Sequence, residues 1–229
     1  MIYITGDKHR KFKEFGEYLN FLQVTSKDIV VILGDVGLNF YNDKKDIEGK
    51  EYLNSFPCTF LCVHGNHEMR PWHVLDNYKK EWNSGHVYVD DNYPRILYAV
   101  DGSIFELNGK KAIVIGGAYS VDKFYRLAKG HRWFADEQPG EFIMEYVERQ
   151  LKKENYKVDY VFSHTCPFKY IPKECFINDF DNTKIEYTTE KWLDKIEDDL
   201  DYKNWYCGHY HTEKKVDKMI FLFNKVKLV

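Results

Sequence analysis

Five short polar clusters carry the residue types that bind metals and move protons: Gly6-Asp7-Lys8-His9, Gly34-Asp35, Gly65-Asn66-His67-Glu68, Ser163-His164 and Gly208-His209-Tyr210-His211. Asp7 and His9 are two residues apart, as are His209 and His211. In an extended segment, side chains at i and i+2 point the same way, so each pair can aim two ligands at one point. Glycine ahead of a polar residue permits a sharp turn and a close approach of backbone to ligand. Pooled, the clusters offer Asp7, His9, Asp35, Asn66, His164, His209 and His211. That is an imidazole, carboxylate and amide-oxygen set without thiolate. It suits Mn first, with Fe, Zn or Ni as alternatives, and disfavours a structural Zn–Cys site or an all-oxygen Ca site. Seven ligands exceed the needs of one ion and suit two divalent ions sharing a carboxylate. Two ions roughly 3.5–4 Å apart clamp an in-line displacement at phosphorus.

Taken singly, each cluster is ordinary. An Asp after a strand often caps a turn or helix, and a lone histidine is often a satisfied core residue. What gives the set weight is placement. Apolar runs read as strands over 2–5, 29–33, 59–63, 96–100, 103–107, 111–115, 158–162, 204–207 and 219–223, and each cluster follows one of them. In open α/β sheets, ligands bind outside the carboxyl ends of the strands, so clusters far apart in sequence converge on one rim. Asn108-Gly109 between two of these runs is a strong hairpin signal. Between the strands lie amphipathic helix candidates. One carries Phe12, Phe15, Leu19 and Leu22, and one opens near Pro139 with Phe142, Ile143, Tyr146, Val147 and Leu151 as its buried face. A third carries Trp192, Leu193, Ile196 and Leu200, with Thr189 as its cap. Stretches 37–50, 120–138 and 165–187 show no clear period and are candidate walls of a substrate cleft.

In its motif order, D-x-H, G-D, G-N-H-E, H and G-H-x-H from Asp7 to His211, the chain resembles the calcineurin-like metallophosphoesterases. The resemblance implies an α/β (α+β) four-layer sandwich, two mixed β-sheets packed face to face with helices outside, formed as one domain over residues 1–229. It implies that Asp7, His9, Asp35 and His211 bind one metal, and that Asp35, Asn66, His164 and His209 bind the other, with Asp35 bridging. His67 matches the family's catalytic histidine. The expected chemistry is hydrolysis of a phosphomonoester or phosphodiester by a hydroxide held between the metals, with His67 protonating the departing oxygen. Two departures stand out. Arg10 follows His9 where the family usually has glycine. The second motif, Gly34-Asp35-Val36-Gly37-Leu38-Asn39, lacks the Asp-Arg-Gly of the Ser/Thr protein phosphatases and with it their phosphate-binding arginine. A branch outside the protein phosphatases is therefore expected, and the positive partner of the phosphate is sought in Arg10, Lys123, Arg126 and Arg132. Arg132 beside Trp133 could hold a flat group such as a nucleobase.

Composition sets the remaining bounds. A net charge of −3 disfavours a nucleic-acid binder that works through its overall field. No apolar run nears the roughly 18 residues that would span a bilayer. Met1 is followed directly by a strand-like run, so no signal peptide is expected, and five cysteines without a CxxC pair suit a reducing, cytoplasmic setting. The expected partner is a small phosphorylated substrate, with a nucleotide among the candidates. A protein-phosphatase-like enzyme, a nuclease and a non-catalytic scaffold of the same fold are the alternatives. A decayed scaffold should have lost ligands, and this chain keeps all eight motif positions.

Overall fold

The computed structural model describes residues 1–74, 76–176 and 185–229. Its strands are β1 (Ile2–Thr5), β2 (Ile29–Ile32), β3 (Thr59–Cys62), β4 (Tyr78–Trp82), β5 (Gly85–Val89), β6 (Ile96–Ala99), β7 (Ile104–Leu107), β8 (Lys110–Ile115), β9 (Tyr160–Ser163), β10 (Asn204–Cys207), β11 (Lys214–Val216), β12 (Met219–Phe221) and β13 (Val226–Leu228). The helices are α1 (Phe12–Phe21), α2 (Lys44–Asn54), α3 (Lys123–Lys129), α4 (Glu141–Lys153) and α5 (Thr188–Asp199). Two mixed sheets form, in the orders β13-β1-β2-β3-β6-β5-β4 and β11-β12-β10-β9-β8-β7. Each has a parallel centre, β1-β2-β3-β6 in one and β8-β9-β10-β12 in the other, with antiparallel strands at the margins.

The alternation of side chains along each strand builds the layers. Ile4, Val31, Leu33, Leu61 and Val63 of the first sheet meet Val114, Phe162, Tyr206 and Ile220 of the second in the central core. The opposite face of the first sheet, with Tyr3, Val30, Ile32 and Phe60, is covered by Phe12, Phe15 and Leu19 of α1 and Leu53 of α2. The outer face of the second sheet, with Ile113, Val161 and Trp205, is covered by Val147 and Leu151 of α4 and Trp192, Leu193 and Ile196 of α5. The result is the expected four-layer α/β sandwich. Asn108 and Gly109 close the β7–β8 hairpin with φ of 51° and 70°, the positive values that a tight two-residue turn needs.

Several expectations about elements fail for identifiable reasons. Phe142 is 89% exposed. The buried stripe of α4 runs through Ile143, Val147 and Leu151 at intervals of four, one residue out of step with Phe142. Thr189 does not cap α5. The helix starts one residue earlier without a side-chain cap, and the Thr189 hydroxyl donates instead to Gln138 Oε1 at 2.9 Å. The aperiodic stretch 37–50 contains most of α2, whose buried face is Asp46, Gly49, Lys50 and Leu53 and so reads as polar. Asp46 accepts from the backbone N–H of Asn42 at 2.6 Å and is buried. Stretch 120–138 contains α3, none of whose residues is buried. Of stretch 165–187, residues 177–184 lie outside the described residues. No helix among the described residues is long and apolar enough to cross a membrane.

Candidate metal centre and its cleft

The central strands of both sheets deliver their polar clusters to one rim. After β1, Asp7 is buried, and its Oδ1 accepts the backbone N–H of His209 at 2.8 Å, tying the first cluster to the last. Its Oδ2 is buried without a hydrogen-bond partner and lies 3.3 Å from His211 Nε2 and 3.6 Å from His9 Nε2. Those two imidazole nitrogens are 2.8 Å apart. After β2, Asp35 Oδ1 accepts the backbone N–H of His67 at 2.8 Å. Its Oδ2 stands between the two halves of the site, 3.9 Å from His9 Nε2 and 3.8 Å from His164 Nε2. After β9, His164 Nδ1 is 2.7 Å from the Leu33 carbonyl oxygen, and Nε2 is 2.8 Å from Asn66 Oδ1. Lys8 points elsewhere, its Nζ donating to the Phe223 carbonyl at 2.7 Å.

The backbone is bent to reach this arrangement. His9, Asp35, His209 and His211 hold φ of 42°, 46°, 64° and 50°, left-handed values that cost a non-glycine residue about 1–3 kcal/mol each and cluster at functional sites. Two glycines make room. A Cβ on Gly34, which has φ of 93°, would lie 2.2 Å from His164 Nδ1, and one on Gly208 would lie 2.3 Å from Asp7 Oδ1. Ordinary side chains at either position would push a candidate ligand aside.

A cation fits these donors. A neutral His164 has one ring proton, and Nδ1–H given to Leu33 leaves an Nε2 lone pair facing the carbonyl oxygen of Asn66. At His9 and His211 two Nε2 atoms 2.8 Å apart lie beside a buried carboxylate oxygen of Asp7, three donor atoms close enough to share one ion. Among the described residues, two groups have ligand atoms close enough for one ion: Asp7, His9 and His211, and Asp7, Asp35 and His164. Electrostatics favour the ligating forms of His9, His209 and Asp7, whereas the Asp7 carboxylate raises the neighbouring His211 imidazolium. Burial pushes the His209 imidazolium down to about 3, with His164 adding to the effect, and burial also lowers His9. Burial alone would raise the Asp7 carboxyl, but the neighbouring His211, His164 and His9 imidazoles hold it below the usual range.

A further layer fixes the ligands. Asn66 Nδ2 donates to Ser120 Oγ at 2.8 Å, and Ser120 donates through Oγ and its backbone N–H to the two oxygens of Glu137, at 2.5 and 3.0 Å. With Nδ2 thus taken, Asn66 must turn Oδ1 toward His164. Glu68 Oε1 accepts the Gly65 N–H at 2.8 Å and closes the turn that carries Asn66 and His67. Sequence reasoning missed Ser120, Glu137 and the structural role of Glu68. The one signal was the nearness of Ser120 to Gly116-Gly117 and of Glu68 to Gly65-Asn66; Glu137 had none.

The centre opens onto a cavity of about 420 Å³. Asp35, Asn66, His67, His209 and His211 line one part of it. Tyr119, Phe176, Tyr187 and Tyr210, with Asp122 and Glu190, line the rest. Burial lowers the His67 imidazolium, and Arg126 adds to this, against Asp35 and Asp122. Burial pushes the Glu190 carboxyl up to about 7. None of Arg10, Lys123, Arg126 and Arg132 lines the cavity. Arg10 Nη1 reaches Gly37 O at 3.3 Å and Asp46 Oδ1 at 3.4 Å. Lys123 sits 4.6 Å from the Trp133 ring centre and 3.9 Å from Glu186, so Trp133 pairs with Lys123. Arg126 Nε donates to Asp122 Oδ2 at 2.7 Å, and Arg132 Nη1 donates to Phe40 O at 2.8 Å.

The chain belongs to the calcineurin-like phosphoesterase family, whose model matches residues 1–229. This family is metal-dependent and acts on phosphorylated substrates. One solved crystal structure superposes with a TM-score of 0.54 at 14% identity, covering 96% of this chain and 88% of the other, a likeness of fold alone. No curated protein matches the chain.

Proposed function

We propose that the chain is a dinuclear-metal hydrolase of small phosphoesters, with Asp7, His9, Asp35 and His211 holding one ion and Asp35, Asn66, His164 and His209 the other. The observation that carries this reading is the position of Asp35 Oδ2, nearly equidistant from His9 on one side and His164 on the other. Asp7 belongs to both groups of close ligand atoms, and each carboxylate has its Oδ1 on a backbone N–H; Asp35 is assigned the bridge because its Oδ2 lies between His9 and His164. Mn is the first candidate metal. Divalent ions at these ligands supply Lewis-acid stabilisation of the phosphoryl group and activate water for attack.

The protein's own groups do the rest. His164 keeps its proton on Nδ1, held by the Leu33 carbonyl, and so keeps Nε2 available to a cation. Ser120 and Glu137 hold the Asn66 amide in one orientation. His67 lines the cavity beside these ligands and protonates the departing oxygen as general acid. Asp35 and Asp122 favour its protonated form against burial. All five cysteines are free, which supports the cytoplasmic setting.

The test is hydrolysis with Mn²⁺ of a chromogenic phosphodiester, its monoester and single-stranded DNA, followed by His67→Ala on two leaving groups. With an alkyl leaving group the variant should lose on the order of 10²–10⁴ in rate while keeping its metals, and with nitrophenolate far less. Equal losses on both would remove the general-acid role. Turnover of DNA alone would favour a nuclease.

A further inference from the structure

Gly6 and Lys8 belong to the first polar cluster, yet neither offers a ligand to a metal. Both act on the segment that follows β12. A Cβ on Gly6 would lie 2.0 Å from the Leu222 carbonyl oxygen, so glycine lets that segment pass against the end of β1. Lys8 is 5% exposed, and its Nζ donates to the Phe223 carbonyl at 2.7 Å. An ammonium is costly to bury, and among the described residues this one forms no ion pair. The Thr5 hydroxyl donates to the Lys225 carbonyl at 2.9 Å. The backbone N–H groups of Phe223 and Lys225 donate to Glu213 Oε1 at 3.2 and 2.7 Å. Phe223 is thus pinned from both sides of its backbone.

The ring held in this way stacks on His211, with centroids 4.4 Å apart and planes inclined by 17°. His211 is the one candidate ligand in the exposed class. Its side chain is 48% exposed, against 30% for His9 and 0% for His164. A ligating histidine is ordinarily oriented through its other ring nitrogen, as the Leu33 carbonyl orients His164. The polar contacts of His211, to Asp7 Oδ2 and His9 Nε2, are both made by Nε2, and among the described residues no hydrogen bond holds Nδ1. What holds the ring is its face. An imidazole that gives its lone pair to a cation gains positive character, and the face of a benzene ring stabilises that charge. We propose that Phe223 is a positioning residue of the candidate metal centre, turning His211 toward the ion it shares with Asp7, His9 and Asp35, and that Gly6 and Lys8 set the ring in place. This rests on the dinuclear-metal reading and adds the residue that orients its most exposed ligand.

Calorimetric titration of the metal-free protein with Mn²⁺ and, separately, with Zn²⁺ tests the proposal without turnover. The wild-type protein should take up two ions. Phe223→Leu keeps apolar bulk but has no aromatic face. In this variant one of the two steps should weaken roughly three- to tenfold while the other keeps its affinity. Phe223→Tyr, which restores the face, should restore the weakened step. NMR of the metal-free proteins reads the stack directly. The ring current of residue 223 should shift the His211 ring protons upfield in the wild-type protein and in Phe223→Tyr, and not in Phe223→Leu. Unchanged two-ion binding in a folded Phe223→Leu, equal weakening of both steps, or equal losses in Phe223→Leu and Phe223→Tyr overturns the proposal alone. A wild-type protein that takes up neither metal overturns the metal reading and the proposal with it.

Discussion

The rim that carries the candidate ligands and the α3 side of the cavity wall are built in opposite ways. At the rim, Asp7, Asp35, Asn66 and His164 are buried, joined to one another's loops, and mounted on strands of the central core. The wall takes Asp122 from the start of α3, a helix with no buried residue, whose Phe124, Tyr125 and Leu127 are all more than half exposed. Metal ligands must hold their positions to within fractions of an ångström, so buried hydrogen bonds and strained backbone are tolerated there. A surface that receives an alcohol needs less rigidity, and loosely packed segments are where proteins place parts that adapt. Perturbing the rim should therefore act through metal, and perturbing the wall through substrate.

Asp35→Asn is the strongest way to challenge this division. It removes charge from the oxygen between His9 and His164 while preserving shape. Metal content should fall, and activity should drop by on the order of 10³ or more. Metal analysis of the purified variant decides the matter. If two ions remain, Asp35 is not the shared ligand, and Asp7, which belongs to both groups of potential ligands, takes its place.

Ser120→Ala sharpens the comparison, because Ser120 belongs to the rim without touching metal. The Asn66 amide would lose the acceptor of its NH₂ group, and Glu137 would lose one of its two donors. Removing such an outer partner typically costs 10–100-fold in metal affinity. Metal titration should show a loss of that size, with kcat at saturating metal much less affected. Unchanged affinity would mean that His164 alone orients Asn66.

The same contrast explains what the sequence made legible. The ligand clusters could be read because each follows a short apolar strand, and the core strands could be read because their burial leaves uninterrupted runs such as Ile29–Ile32. Elements with little or no apolar period could not. In α2, Asp46, Gly49 and Lys50 face inward, and α3 buries nothing. The margin strands β4, β11 and β13 carry lysines, as edges exposed to pairing should. The cavity wall was hidden for a different reason. Asp122, Phe176, Tyr187 and Glu190 come from separate segments, and an acid in the first turn of a helix reads as an ordinary response to the helix dipole. The charges near the rim were visible, but sequence does not say which cations are already engaged.

Arg126→Ala probes the wall with the smallest expected effect. Arg126 does not line the cavity, and its Nε is bonded to Asp122 Oδ2. Its influence therefore runs through Asp122, which does line the cavity and favours protonation of His67, and through its own charge, which opposes that protonation. A partly exposed pair of this kind is worth about 0.2–1 kcal/mol, or up to about fivefold in a rate constant. A fall of that order in kcat/KM is expected, with metal content unchanged and Tm moved by no more than about 4 °C, since α3 contributes nothing buried to the core. Steady-state kinetics beside metal analysis and a melting curve provide the three readouts. A loss near 10² would mean that Arg126 leaves Asp122 to meet the phosphate itself, making α3 part of the catalytic apparatus. A loss of metal would break the distinction between rim and wall at its weakest point.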